Sequence, residues 1–132
     1  MSTEIHSHKD LDIWKRPIEL VKELYALTRE FPIEEKYGIV QQMRRAAISV
    51  PSNIAEGSAR DSNLEFAHFL SIAQGSLAEL ETQLMISKEL GYTSDIEKFE
   101  TQFKSIRLMI KGLSRKLKRG ELQGRMAWDK MT

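Results

Sequence analysis

The feature that most constrains the fold is the spacing of apolar residues near the end of the chain. They recur at intervals of three and four without a break: Ile96, Phe99, Phe103, Ile106, Ile110, Leu113 and Leu117. This alternation follows the 3.6-residue turn of an α-helix and puts the whole row on one side of it. The segment is therefore predicted to be an amphipathic helix over about residues 95–119, ended by Gly120.

Three earlier segments carry the same period, and they predict helices over residues 11–30, 33–56 and 63–90. The apolar row of the second is Tyr37, Val40, Met43, Ala47, Val50 and Ile54, and that of the third is Phe66, Leu70, Ala73, Leu77, Leu80 and Leu84. In the first helix two rows are predicted to form a wide buried stripe. One row is Trp14, Ile18, Val21, Tyr25 and Thr28, and the other is Ile13, Leu20, Leu24 and Leu27. Pro17 interrupts that stripe and predicts a kink there or a helix that begins near it.

Residues that start and stop helices separate these segments. Ser62 with Glu65, and Ser94 with Glu97, have the spacing of capping boxes. Gly57 and Gly91 are predicted left-handed stops. Gly75-Ser76 lies inside the third helix, where glycine costs about 1 kcal/mol relative to alanine, which predicts close approach of a neighbouring backbone.

Four helices joined by short loops, with no strand pattern, predict an all-α protein. The architecture expected is an antiparallel up-down-up-down four-helix bundle over residues 10–119. At 132 residues the chain is long enough for one domain with its own core. Residues 1–9 and 120–132 lack periodicity and are expected to be flexible tails.

Composition narrows the class of function. The chain has no cysteine, no apolar run near the roughly 20 residues that span a bilayer, and no secretory h-region after Met1, so we expect a cytoplasmic protein with no membrane contact. Glu65 and His68 form a single Glu-x-x-His pair, whereas a di-iron bundle needs two such pairs and two further glutamates. No catalytic constellation is visible. We therefore expect no metal, no cofactor and no enzymatic activity.

Charge is segregated although the formal net charge is only +1. Between residues 104 and 119 there are seven bases and no acid. Five of the bases fall on one flank of the apolar row and make a continuous stripe: Lys104, Arg107, Lys111, Arg115 and Lys118. Such a stripe suits a phosphate backbone, of RNA or DNA, but an acidic partner protein or the acidic face of a neighbouring subunit would be served equally well. No aromatic residue interleaves it, so base stacking is not expected there.

The segment 44–57 mixes an apolar helical row with polar residues that a core helix does not need. Arg44 and Arg45, with Arg60 just beyond, are candidate phosphate ligands. The opposite row contains Ser49, Asn53 and Glu56, which are predicted to contact a neighbouring subunit, because in a monomer that row would face solvent.

Apolar residues also appear off the main rows. Leu108 and Met109 lie off the row of the fourth helix, and Phe69 and Ile72 lie partly off that of the third. This arrangement is expected either for burial against another subunit or for a wider core within one chain.

Taken together, several short motifs resemble a known family. They are Asp10-Leu11 with Ile13-Trp14, Phe31-Pro32, Glu35-x-Tyr37-Gly38, Gln42-x-Arg44-Arg45-Ala46-Ala47-x-Ser49, Asn53-Ile54-Ala55-Glu56-Gly57, Arg60, Phe66-x-x-Phe69-Leu70-x-Ile72-Ala73-x-Gly75-Ser76, Glu79-Leu80 and Leu90-Gly91-Tyr92. Over about residues 9–118 the chain resembles the four-helix-bundle proteins encoded in intervening sequences of bacterial 23S ribosomal RNA genes, also labelled S23 ribosomal proteins. The most specific part is the run 44–57.

The resemblance implies more than periodicity can. Members of the family look like antiparallel bundles that assemble into a homopentamer, and the related accessory variability proteins of diversity-generating retroelements bind nucleic acid and a reverse transcriptase through basic surfaces. By resemblance the chain is expected to be a non-enzymatic oligomeric scaffold that binds structured, possibly ribosomal, RNA. A protein-interaction adaptor for a nucleic-acid enzyme, such as a reverse transcriptase, is the alternative.

Overall fold

The computed structural model describes residues 8–94 and 96–120, with side chains from Asp12 onward, and this part of the chain is all helical. The helices are α1 (His8–Thr28), α2 (Ile39–Ser58), α3 (Asn63–Glu89) and α4 (Glu97–Lys118), with a short 3-10 helix at Ile33–Glu35 between α1 and α2. No strand occurs in these residues. The predicted all-α four-helix bundle is confirmed, and the predicted tails lie almost entirely outside the described residues.

Side-chain hydrogen bonds join neighbouring helices of the bundle. Arg44 near the start of α2 bonds Thr28 at the end of α1, and Ser49 bonds Ser76 across α2 and α3. Between α3 and α4, Gln74 bonds the Arg107 carbonyl, and Asn63 at the start of α3 bonds the Leu117 carbonyl near the end of α4. Gln102 of α4 bonds Glu23 of α1. These contacts are consistent with a four-helix bundle.

The predicted apolar rows form the core. Every member of the α4 row and of the α3 row is buried, and so is every member of the α2 row except Tyr37. Burying rows from four helices against one another removes them from water together, and this is the main force that holds such a bundle. α1 remains helical on both sides of Pro17, whose ring is itself buried.

The start of α2 differs from the prediction. Helix was expected from residue 33, but the chain forms the 3-10 helix Ile33–Glu35 and a turn, and α2 begins at Ile39. The Glu35 side chain accepts a hydrogen bond from the Ile39 N–H at 3.4 Å, and the Glu35 carbonyl accepts one from the Gly38 N–H at 3.0 Å. Tyr37 therefore lies in a turn and is 79% exposed, so its assignment to the core row was wrong.

Gly57 was predicted to stop α2 but lies inside it, because the helix continues to Ser58. It is fully covered: a Cβ atom added there would lie 2.6 Å from Phe69 Cβ and 2.9 Å from Phe66 Cδ1. Its role is to let α3 approach α2. Left-handed backbone occurs instead at Gly91 (φ 80°) and Gly120 (φ 75°), so those two predicted stops are confirmed.

Of three other local predictions, one is confirmed and two are wrong. Ser62 caps α3 by accepting the Glu65 N–H at 3.1 Å, as predicted. The cap of α4 is Ile96, with no side-chain cap bond, rather than Ser94. Gly75 has no atom within 4 Å of an added Cβ, so the close approach predicted there is absent. Within the described residues, no helix is both long and apolar enough to cross a membrane.

Candidate nucleic-acid interface

The basic stripe of α4 is exposed along most of its length. Lys104, Lys111, Arg115 and Lys118 are all exposed, and Arg107 is half-buried. Since an α-helix rises about 1.5 Å per residue, the seven-residue steps from Lys104 to Lys111 and on to Lys118 each advance by about 10 Å. These three ammonium groups therefore follow one face of the helix over about 20 Å.

Arg107 differs from the rest of the stripe because it is partly neutralised. Its guanidinium forms a short ion pair with Glu81 of α3. On the same side, the Gln74 amide donates to the Arg107 carbonyl at 3.0 Å and the Asn63 amide donates to the Leu117 carbonyl at 3.2 Å. These contacts fix α4 against α3, so Arg107 positions the basic face.

A shallow groove of about 240 Å³ runs between α3 and α4 beside the stripe. Its lining contains two of the stripe lysines and no acid: Ala67, Leu70, Ser71, Gln74, Ile110, Lys111, Ser114 and Lys118. Small and hydroxyl-bearing side chains keep the approach to the lysines open. A phosphate backbone lying along this edge would meet cations and hydrogen-bond donors.

Arg44 was predicted to bind phosphate, but its side chain is already occupied. Nε donates to Thr28 Oγ1 at 2.9 Å, Nη2 donates to the Tyr25 carbonyl at 3.3 Å, and the guanidinium covers the Tyr25 ring at 4.2 Å from its centroid. Tyr25 and Thr28 lie in the last turn of α1, and the Tyr25 carbonyl also accepts the Arg29 N–H at 3.2 Å. Arg44 therefore adds a second bond to that carbonyl and joins α1 to α2.

Arg45, one residue later, is turned toward solvent. It is exposed and makes no ion pair or hydrogen bond with the described residues. Together with Lys36 and Arg44 it lines a groove of about 410 Å³ at the α1–α2 edge, which also contains Tyr25, Tyr37, Val40, Gln41 and Ile48. Of the two adjacent arginines, only Arg45 remains available to a ligand.

Arg60 lies at the far end of α2 and is held within the chain. It pairs with Glu56 at 3.2 Å, and its guanidinium lies 4.7 Å from the centroid of the Phe69 ring. Both charged side chains are largely exposed, so the pair is weak and a ligand can displace it. Arg60 and Glu56 were assigned to two different predicted surfaces, and the structure brings them together.

Ser49 and Asn53 were expected to face solvent in a monomer, and that expectation was wrong. Ser49 Oγ lies 2.8 Å from Ser76 Oγ of α3, and the Asn53 amide donates to the Ser49 carbonyl and hydroxyl at 2.8 Å each. Both residues are half-buried at the α2–α3 contact. Their assignment to a subunit interface remains a prediction, and of the three residues only Glu56 is exposed.

Two ionisable side chains have shifted pKa values, and both join helices or turns. Contact with the Lys98 ammonium, 2.8 Å away, lowers the pKa of Glu23; desolvation opposes this and the Gln102 amide, at 3.0 Å, adds to it. The hydrogen bond from the Tyr92 hydroxyl to Glu35, at 2.7 Å, raises the pKa of Tyr92. Neither group lies on the basic stripe of α4, and each helps to hold the bundle closed.

Among the described residues, no group of three or more histidine, cysteine or acidic side chains is placed to hold a metal ion. Glu65, the acidic member of the Glu-x-x-His pair, belongs to the cap of α3, where its backbone N–H bonds Ser62. His68 is exposed and packs its ring edge-on to Phe69 at 5.8 Å.

Sequence reasoning missed Tyr37 as a surface residue. Gly38, which follows Tyr37 directly, indicates a break in the helix there, but the three-residue spacing from Tyr37 to Val40 fits a helical row and hides that break.

A family model described as 23S rRNA-intervening sequence protein matches residues 9–117. No curated protein matches the chain.

Proposed function

Because the chain belongs to the family of 23S rRNA-intervening sequence proteins, we propose that it is a non-enzymatic, oligomeric scaffold that binds structured RNA. The basic face of α4 is the proposed contact surface. The observation that carries the proposal is the run of exposed cations Lys104, Lys111, Arg115 and Lys118, with no acid anywhere between residues 104 and 119.

Phosphate chemistry supports this assignment. Lysine and arginine that neutralise phosphates release condensed counterions, so each contact makes binding more sensitive to salt. Lysines near a helix C-terminus also complement the helix dipole, but that effect is confined to about the last turn. Lys104 and Lys111 lie well before that turn, so the dipole does not account for them.

The test is the salt dependence of binding to a stem–loop RNA taken from 23S ribosomal RNA. For the unmodified chain, log K plotted against log salt is expected to fall steeply. In the triple variant Lys104→Gln, Lys111→Gln and Lys118→Gln, the slope should be shallower by about 2 to 3, because each lost phosphate contact removes about 0.9.

The matched control is Lys15→Gln, Lys22→Gln and Lys88→Gln, which removes the same charge from exposed positions of α1 and α3. It is expected to keep the original slope. A flat salt plot for the unmodified chain, or equal slopes for the two triple variants, would show that α4 does not bind the RNA backbone.

The oligomeric part of the proposal is supported by α3. Its outward side carries Ile72, Met85 and Ile86, which are 39%, 44% and 45% exposed, so the helix is apolar on more than its core side. Helices apolar around much of their circumference are usually buried. We propose that a second copy of the chain covers this face. The family resemblance implies an assembly of five copies.

The same apolar face favours a second candidate function, an adaptor that recruits a nucleic-acid enzyme such as a reverse transcriptase. In that case α3, together with the exposed Leu108 of α4, would contact the enzyme. One experiment distinguishes the two functions. If the chain is an adaptor, a protein partner should still co-purify with it after nuclease treatment. If the association is made through RNA, nuclease treatment should remove the partner.

A further inference from the structure

The groove at the α1–α2 edge differs chemically from the face of α4. Its volume is about 410 Å³, and its lining combines three cations with two tyrosines and no acid: Tyr25, Lys36, Tyr37, Val40, Gln41, Arg44, Arg45 and Ile48. The acid next to Lys36 in sequence, Glu35, accepts hydrogen bonds from the Tyr92 hydroxyl and the Ile39 N–H. Because no carboxylate lines the groove itself, the charged groups nearest to a bound ligand are the three cations.

The two tyrosines play different parts. The Tyr25 ring is covered by the Arg44 guanidinium at 4.2 Å. Tyr37 is 79% exposed, and its hydroxyl makes no hydrogen bond within the described residues. Within the described residues, its ring is paired with the Lys36 ammonium, 5.4 Å from the centroid. An open aromatic face thus lies beside two exposed cations, Lys36 and Arg45.

We infer that this groove binds single-stranded nucleic acid, with one unpaired base stacked on Tyr37 and the adjoining phosphates on Lys36 and Arg45. Every base has a π-face, so an aromatic platform beside cations suits a single strand of any sequence. A peptide of acidic residues alone would use the cations but would have no aromatic group to stack on the ring. The exposed Ile48 extends the apolar floor of the groove.

This inference rests on the proposed function and deepens it. The face of α4 has cations without aromatics, which suits the backbone of a paired region, whereas the α1–α2 groove adds stacking, which suits an unpaired one. An RNA with both a stem and a loop would engage the two surfaces in different ways.

The test uses two single-stranded DNA probes of the same length, a ten-nucleotide oligo(dA) and a fully abasic ten-mer, in fluorescence anisotropy. They carry the same phosphates, and only one carries bases. The unmodified chain is expected to bind oligo(dA) about tenfold more tightly than the abasic strand, within the range seen when a base-stacking aromatic residue is replaced by alanine.

Variants assign that difference to residues. Tyr37→Ala should abolish the preference for oligo(dA) and leave the abasic affinity unchanged, whereas Tyr37→Phe should keep the preference because the ring remains. Arg45→Gln should weaken both probes equally, with a salt slope shallower by about 0.7, the value for one phosphate of a single strand. Ile18→Ala, which removes another exposed apolar side chain, is the control and should leave the affinity for both probes unchanged.

Equal binding of the two probes by the unmodified chain would overturn the inference, as would a preference that survives in Tyr37→Ala. A parallel titration with the stem–loop RNA shows whether only the Tyr37 site is wrong or the proposed RNA-binding function as well. Tight, salt-dependent binding of the stem–loop with no oligo(dA) preference would remove the Tyr37 site alone. No binding of the stem–loop and no binding of either single strand would remove both.

Discussion

At the scale of single residues, Arg44 and Arg45 show how adjacent and identical side chains take different roles. On a helix, neighbouring positions are about 100° apart, so one arginine turns toward α1 and the other toward solvent. Arg44 donates hydrogen bonds to the Thr28 hydroxyl and the Tyr25 carbonyl, whereas Arg45 donates none to the described residues. Only the position of α1 distinguishes them.

Gly57 gives a residue-scale prediction about stability. In Gly57→Ala the new Cβ would lie 2.6 Å from Phe69 Cβ, so α2 and α3 must move apart. We expect the free energy of unfolding to fall by about 1 to 3 kcal/mol, the usual cost of overpacking a core. Chemical denaturation followed by circular dichroism measures it.

Gly75→Ala is the matched control, since it makes the same chemical change in a helix where no atom lies within 4 Å of the new Cβ. Because alanine favours helix, this variant should be more stable by about 1 kcal/mol. Effects of the same sign at Gly57 and Gly75 would contradict the close packing of α2 on α3.

At the scale of whole elements, the contact between α1 and α4 depends on Glu23. Its carboxylate meets Lys98 at 2.8 Å and Gln102 at 3.0 Å, and the side chain is 26% exposed. Because the folded-state pKa of Glu23 lies below its ordinary value of 4.5, the contact stabilises the fold above that pH. The stabilisation is lost as the pH falls through the folded-state pKa.

The corresponding prediction concerns Glu23→Gln. At pH 7 this variant should melt at a lower temperature than the unmodified chain. The difference should shrink as the pH is lowered from 4.5 through the lower folded-state pKa of Glu23, where the wild-type carboxylate becomes protonated. Thermal melts from pH 7 to pH 2.5 provide the measurement.

Glu19→Gln is the control, because Glu19 borders the same α1–α4 edge but is exposed and forms no ion pair within the described residues. Its melting temperature should follow that of the unmodified chain at every pH. A Glu23→Gln difference that stays constant down to pH 2.5 would mean that the charge of Glu23 is not what joins α1 to α4.

At the scale of the whole molecule, the exposed apolar residues on the outer side of α3 lead to a prediction about assembly. Light scattering of the purified chain is expected to give an oligomer, and five chains is the number that the family resemblance implies. The double variant Ile72→Ser with Ile86→Ser should give smaller particles while keeping the helical circular dichroism spectrum, because both side chains lie outside the core.

Ile18→Ser with Ile33→Ser serves as the control, since it removes two exposed isoleucines from α1 and the following turn. That variant should keep the particle size. A monomeric unmodified chain would end the oligomer proposal. Particles of unchanged size in the α3 variant would leave an oligomer but move its contact elsewhere, with the exposed Glu56 as the next position to replace.

The sequence alone determined the class of fold, because each helix carries an apolar row whose period belongs only to an α-helix and whose burial needs partners. Every residue of the α4 row is buried as that period required. The resemblance read from motifs also held, since the family model spans residues 9–117. The run of bases without an acid in α4 is also visible in the sequence itself.

What only the tertiary structure decided was which polar and aromatic side chains remain available. Periodicity places a residue on a face but does not say what stands opposite it. Arg44 and Ser49 were predicted to lie on the surface, but they bond α1 and α3, and Asn53 bonds Ser49 within α2. Tyr37 was predicted to lie in the core and is exposed. The physical reason is that a hydrogen bond or a stacking surface depends on the position of a second element, and that position is fixed by the packing of the bundle.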